Sequence, residues 1–268
     1  MSSERDENYP ATAVSTWSGY VYQGKVALYH CLNMFNKGDT SFELQLDSSE
    51  DFAIYKNGAL TSAHQVKAKI GKYRSGYAEA LEKASTIEFD RVKGISRYFH
   101  VSIQLDDTDD YTGENGELVQ FYTYGTNKYC GLREIERLTK EVIRQICTSR
   151  CITLSEDLLY YNYCLLSENI NSKAVAIHRL VQDDRQKANK AAYENRIVAQ
   201  SLIDDIWTKN PYNGTEYFAV DLKARFSSYL EDRLDQALPS ISDEMYARAR
   251  RLRALCEIMP TRAVRNYA

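Results

Sequence analysis

Proline and glycine are scarce, with 4 and 12 of 268 residues. So little punctuation argues against an all-β fold, which needs frequent tight turns, and against a long flexible linker. No apolar run approaches the roughly 20 residues of a membrane-spanning helix. The charged opening MSSERDENYP lacks the apolar core of a secretory signal, so a cytoplasmic protein is expected. GxGxxG, P-loop, HExxH and Ser-His-Asp patterns are missing, which argues against hydrolysis of nucleotides or peptides. The six cysteines form no CxxC pair. Cys147 and Cys151 lie one helical turn apart with no histidine nearby to complete a zinc set, so reduced thiols are expected. A basic excess is absent too: the net charge is −3. Bulk electrostatics therefore do not carry nucleic-acid binding, and any DNA contact needs a local basic patch or a partner.

What is present is a packable chain, 44% hydrophobic and 26% charged, with 21 tyrosines suited to half-polar interfaces. The segment from about Thr16 to Phe35 has helical spacing, with Tyr20, Ala27, Cys31, Met34 and Phe35 on one stripe that also includes Gln23. SFELQLD alternates as a strand with Phe42, Leu44 and Leu46 on one face. DFAIYKNG is a second strand closed by the hairpin signal Asn57-Gly58, and LTSAHQVKAK is a third. A helix in YAEALEKASTIEFDRV and a strand in YFHVSIQL complete the order α-β-β-β-α-β. Asp106 to Glu117 reads as an exposed acidic loop. From about Leu132 the chain has helical spacing throughout, closing on SDEMYARARRLRALCEIM. The expected class is α/β (α+β): a mixed core over residues 1–125, then a mostly helical domain over 126–268.

The third strand carries the chemistry. Gln65 and Lys67 are two apart and leave the same face of the strand, where polar side chains are costly unless paired or functional. Asp51 opens the preceding strand, which the Asn57-Gly58 turn folds back beside the third. A carboxylate, an amide oxygen and an ammonium thus meet at one edge of the sheet, the equipment for metal-assisted phosphodiester hydrolysis. Asp51 would bind Mg²⁺ (or Mn²⁺), with Gln65 and the Val66 carbonyl completing the protein ligands. Lys67 would orient or help deprotonate the attacking water, or neutralise charge on the phosphorane.

The spacing D-x13-Q-x-K resembles the PD-(D/E)XK nuclease motif, with Gln in the place of Glu, and the element order resembles that superfamily's restriction-endonuclease-like core. A closer resemblance is to the nuclease domain shared by CBASS effector endonucleases and the nuclease subunit of Lamassu anti-phage systems. It is carried by SGYVYQGKVALYHCL, SSEDFAIY and AHQVKAK and covers residues 16 to 70. The helical half resembles the C-terminal region of nuclease subunits in three-component systems with an SMC-like ATPase. The resemblance implies a double-stranded DNA endonuclease, held quiet until partner subunits, an SMC-like ATPase and a further accessory protein, release or oligomerise it. It also implies that Gln23 is a helix-borne polar residue facing the site. The Gln in place of Glu removes a charge from the metal site, which keeps open a second expectation, a catalytically weak nuclease-like adaptor acting through protein binding.

Among nearby carboxylates Glu43, Asp47 and Glu50, Glu50 is the expected auxiliary metal ligand. Lys69, Lys72 and Arg74 follow the site and are expected to meet DNA phosphates. His64 points away from Gln65 and is expected to be packed; His30, His100 and His178 have no ligand-spaced partners and no assigned role. Arg248 to Arg253 is expected to be a solvated helical face.

Overall fold

The computed structural model describes residues 14–46, 51–87, 94–206 and 208, with the backbone alone for 14–17. The elements run in the order α1 (Val14–Asn36), β1 (Glu43–Leu46), β2 (Phe52–Lys56), β3 (Ala59–Lys67), a 3-10 turn (Arg74–Tyr77), α2 (Ala78–Thr86) and β4 (Ser96–Val101). They continue through β5 (Tyr111–Thr112), β6 (Leu118–Phe121), α3 (Leu132–Ser149), α4 (Glu156–Gln182), α5 (Ala188–Glu194), β7 (Ile197–Val198) and α6 (Ala199–Asp204). The class is α+β, and up to β4 the order is the α-β-β-β-α-β read from the sequence. No described helix is long and apolar enough to cross a membrane.

The strands form one mixed sheet in the order β5-β6-β4-β3-β2-β1-β7. β1, β2 and β3 are antiparallel neighbours, whereas β3–β4 and β4–β6 pair in parallel. The parallel pairing of β3 and β4 requires a crossover, which α2 provides. The β2–β3 turn has two central residues of positive φ, Asn57 at 50° and Gly58 at 78°, the geometry of a primed hairpin turn. The turn sets the register Phe52↔His64, after a shift between Ile54 and Tyr55. One step beyond that pair, Asp51 faces Gln65.

Alternation along the strands separates two cores. Leu44, Leu46, Phe52, Ile54 and Val66 face α1, where Val26, Leu28, Leu32 and their neighbours pack with α3, α4, α5 and α6. Ala63, Phe99, Val101 and Val119 face α2, against Tyr77, Leu81 and Ala84. α1 is therefore covered by the sheet on one side and by helices on another, and its buried positions run almost continuously from Val26 to Leu32. Tyr20 departs from the expected stripe. It is 67% exposed, in a turn of α1 that precedes the buried run.

Three sequence expectations change. The helix expected through YAEALEKASTIEFDRV ends at Thr86, with Ile87 out of the helical conformation, and its residues 88–92 lie outside the described residues. The acidic loop holds the short strand β5, paired to β6. The helix-like segment after Arg185 is split into α5, β7 and α6, with β7 adding to the sheet edge beside β1. β-Branched Ile197 and Val198 fit that edge, and Arg196 pins it to Glu43 at 2.9 Å. Buried residues of α3, α4, α5 and α6 belong to the same apolar cluster as those of α1, β1 and β2.

Candidate active site

The site lies where β2 begins and β3 ends, on the α2 side of the sheet. Gln65 is 2% exposed, and Asp51 and Lys67 are half-buried around it. Both oxygens of Asp51 are engaged. Oδ1 accepts from Gln23 Nε2 at 2.7 Å, and Oδ2 accepts from Gln65 Nε2 and from the Val66 N–H, each at 2.5 Å. Gln23 reaches the carboxylate from α1, so helix, β2 and β3 are tied at one point. Burial raises the Asp51 pKa above its ordinary value; the Val66 N–H, the Lys67 charge, Gln65 and Lys83 pull the other way. Among the described residues, the Lys67 ammonium pairs with no carboxylate within 4 Å.

Gln65 leaves its amide oxygen Oε1 buried and without a partner, a position that water or a cation would satisfy. A carboxylate offers about four lone-pair sites, and three of those on Asp51 are used. The remaining one, with Gln65 Oε1, makes two protein oxygens. That set fits Mg²⁺, which keeps several waters and is held by one or two protein oxygens plus substrate phosphates. Among the described residues, no group of three or more His, Cys, Asp or Glu could hold a metal on its own. Val66, whose carbonyl is the expected ligand, also enters the site through its N–H, which donates to Asp51. Glu50 and Asp47 lie outside the described residues, as does Arg248 to Arg253.

The basic segment after β3 divides. Lys69 and Lys72 are exposed, but Arg74 is turned inward. Its guanidinium pairs with Asp107 at 2.8 Å and donates to the Asp109 carbonyl at 2.7 Å, and its N–H donates to Asp106 at 2.8 Å. Arg74 thus anchors the acidic loop to the β3–α2 connection and is not a free phosphate contact in this arrangement.

Two residues near the site gave no local signal in the sequence. Lys83 comes within electrostatic reach of Asp51 only because α2 folds over the crossover. Gln45 is 4% exposed, and its Oε1 is also unpartnered. Leu44 and Leu46 point to the α1 core, so Gln45 lies on the same sheet face as Gln65.

The other face of β3 holds a buried polar network in which only the His30 Nδ1 is left without a partner among Ser62, His64, His100, Tyr124 and His30. His64 is fully buried there, and His30 from α1 and His100 from β4 join it. The Tyr22 hydroxyl donates to the Cys130 carbonyl at the edge of this cluster. His100 Nδ1 is hydrogen-bonded to the Tyr124 hydroxyl at 2.7 Å, and His100 Nε2 to His64 Nδ1 at 3.0 Å. The Ser62 hydroxyl is hydrogen-bonded to His64 Nε2 at 2.9 Å. His30 packs on His64 with ring centroids 4.3 Å apart; burial and then Lys37 push its pKa down to about 3. Burial likewise holds His64 and His100 neutral. Absence of metal-ligand spacing hid this cluster, because it is assembled by packing and parallel pairing.

A family model described as C-terminal domain 1 of the ABC-three component (ABC-3C) systems matches residues 119–267, more than half of the chain. The matched segment starts at β6 and includes α3 to α6. Gln23, Asp51, Gln65 and Lys67 all precede it. No curated protein and no solved structure matches.

Proposed function

The chain belongs to the ABC-3C C-terminal domain 1 family, which places it in an anti-phage defence context, and from that premise we propose that it is the metal-dependent DNA endonuclease subunit of its system. The observation that carries this reading is the Asp51 carboxylate gripped by Gln23, Gln65 and the Val66 N–H beside Lys67, with the Gln65 oxygen left unpartnered. Asp51 and Gln65 would hold Mg²⁺ or Mn²⁺, which when bound neutralises phosphate charge and acidifies water. Gln23 fixes the carboxylate from the helix side. Lys67 holds or deprotonates the attacking water and offsets charge on the pentavalent phosphorus. With a net charge of −3, DNA delivery and release from the resting state fall to partners, an SMC-like ATPase and an accessory subunit, with self-association as a second route. The resemblance of residues 16 to 70 to Lamassu and CBASS nuclease domains supports the same PD-(D/E)XK assignment.

A second reading, a nuclease-like adaptor, is favoured by one feature: Gln65 supplies no charge, and both Asp51 oxygens already accept hydrogen bonds. Plasmid cleavage by the purified chain, alone and with the other components of its system, separates the two. Cleavage that needs Mg²⁺ or Mn²⁺ and disappears in Lys67→Ala and in EDTA supports the nuclease. A folded chain that binds its partners and never cleaves under any metal supports the adaptor.

A further inference from the structure

Directly after Lys67 the chain projects a short loop whose tip is Ile70, 97% exposed, with Tyr73 57% exposed beside it. Single exposed apolar residues are ordinary on mobile loops. This loop is instead held along its length. The Tyr77 hydroxyl donates to the Gly71 carbonyl at 2.8 Å, the Asp106 N–H to the Lys72 carbonyl at 2.9 Å and the Gly76 N–H to the Tyr73 carbonyl at 3.0 Å. Arg74 locks the base of the loop to Asp106 and Asp107. Ile70 is thus offered to solvent on a fixed backbone, and a fixed backbone reduces the ordering penalty of binding.

Charge decides what it is offered to. Lys69 donates to the neutral Gly76 carbonyl, and Lys72 lies over the Tyr73 ring at 5.3 Å. Among the described residues, neither ammonium pairs with a carboxylate within 4 Å. In the acidic loop next door Asp107 pairs with Arg74 and Asp110 with Lys128 at 3.8 Å, and Asp106 accepts two backbone N–H groups, so part of the loop's charge is offset. An apolar tip flanked by unpaired cations, three residues from Lys67, complements a polyanion with an apolar interior. Apolar wedges of this kind enter base steps from the minor groove and kink the duplex while cations hold the flanking phosphates.

We propose that the Lys69–Tyr73 loop is a duplex-DNA wedge, in which Ile70 inserts between base steps while Lys69 and Lys72 hold the adjoining phosphates. This rests on the nuclease reading and assigns the same site its mode of gripping substrate.

The test uses the full chain carrying Lys67→Ala, so that DNA stays intact, and a short duplex containing 2-aminopurine, which brightens when unstacked. Binding brightens the probe. Adding Ile70→Ser abolishes the brightening and weakens binding roughly tenfold, as for loss of one buried aliphatic side chain. It leaves the salt dependence unchanged, because no charge is lost. Lys72→Gln lowers the slope of log affinity against log salt by about one. Ile70 is almost fully exposed, so melting curves should coincide. No brightening with either protein, or equal DNA affinity with and without Ile70, overturns the wedge. So does an Ile70→Ser defect confined to association with another protein component. Ile70-dependent binding and unstacking without Lys67-dependent cleavage retains the wedge and removes the catalytic reading. Lys67-dependent cleavage with Ile70-independent binding removes the wedge alone.

Discussion

The two faces of β3 carry the same kinds of residue and use them in opposite ways. On the α1 face, Ser62 and His64 are closed into a relay with His100 and Tyr124, and both are buried. On the α2 face, Gln65 and Lys67 meet Asp51 at the end of the strand, and the network is left incomplete at Gln65 Oε1. Satisfied polar groups inside a sheet fix its packing; an unsatisfied one beside a carboxylate and an ammonium is available for chemistry. A one-residue slip of register would exchange the two faces, so the Asn57-Gly58 turn underlies both.

The largest effect that would sharpen this contrast comes from Asp51→Ala. It strips the Val66 N–H and the Gln23 and Gln65 amides of their acceptor. The expected result is complete loss of cleavage together with about 2–3 kcal/mol of stability, read by denaturant unfolding. Asp51→Asn keeps one of the two accepting oxygens and should recover part of the stability with none of the activity. Equal stability of the Ala variant and the wild type would break the account of the site as a structural tie.

On the other face, His100→Phe leaves the buried His64 Nδ1 and the Tyr124 hydroxyl without their His100 partner, and a loss of about 2 kcal/mol is expected. Cleavage per folded molecule should stay the same. A fall in turnover larger than the fall in folded fraction would mean that the two faces are coupled.

The histidines also set the response to acid. Unfolded imidazoles take up protons near 6.5, whereas His30 does so only at about 3 when folded and His64 and His100 well below 6.5. The unfolded state therefore binds more protons below pH 6.5, and stability falls as pH drops through that window. The slope is about 1.4 kcal/mol per pH unit for each histidine, and stability is level above it. Asp51 has the opposite sign, since its raised folded pKa adds stability below 3.8 that is lost as pH rises through the folded value. Three groups against one make acid destabilising near pH 5. Melting curves from pH 5 to 7.5 check this, and His100→Phe should flatten the slope.

The smallest expected change is Gln65→Glu. A second carboxylate opposite Asp51 should lower the Mg²⁺ concentration for half-maximal cleavage several-fold. It should also raise the pKa of the pair through like-charge repulsion, so that the acid limb of the pH–rate profile moves up. An unchanged metal requirement would place the cation elsewhere.

The strand periods, the hairpin dipeptide and the D-x13-Q-x-K spacing made the order through β4 and the meeting of Asp51 with Gln65 legible in the sequence, because each depends on local register. What stayed hidden depends on distant packing. Ile197 and Val198 sit in a helix-like stretch and become β7 only because β1 offers an open edge. The histidines meet through α1 docking and the parallel β3–β4 pair. Arg74 looked like a phosphate contact because the acidic loop that engages it lies more than 30 residues away in the chain.

The most direct test assays both faces together: plasmid cleavage with Mg²⁺ and thermal melting of the full chain, with its partner components, as wild type, Lys67→Ala and His100→Phe. The account predicts that Lys67→Ala loses cleavage while its melting stays within a few degrees, and that His100→Phe melts early but cleaves normally at low temperature. Cleavage retained by Lys67→Ala, or insensitive to EDTA in the wild type, would contradict it.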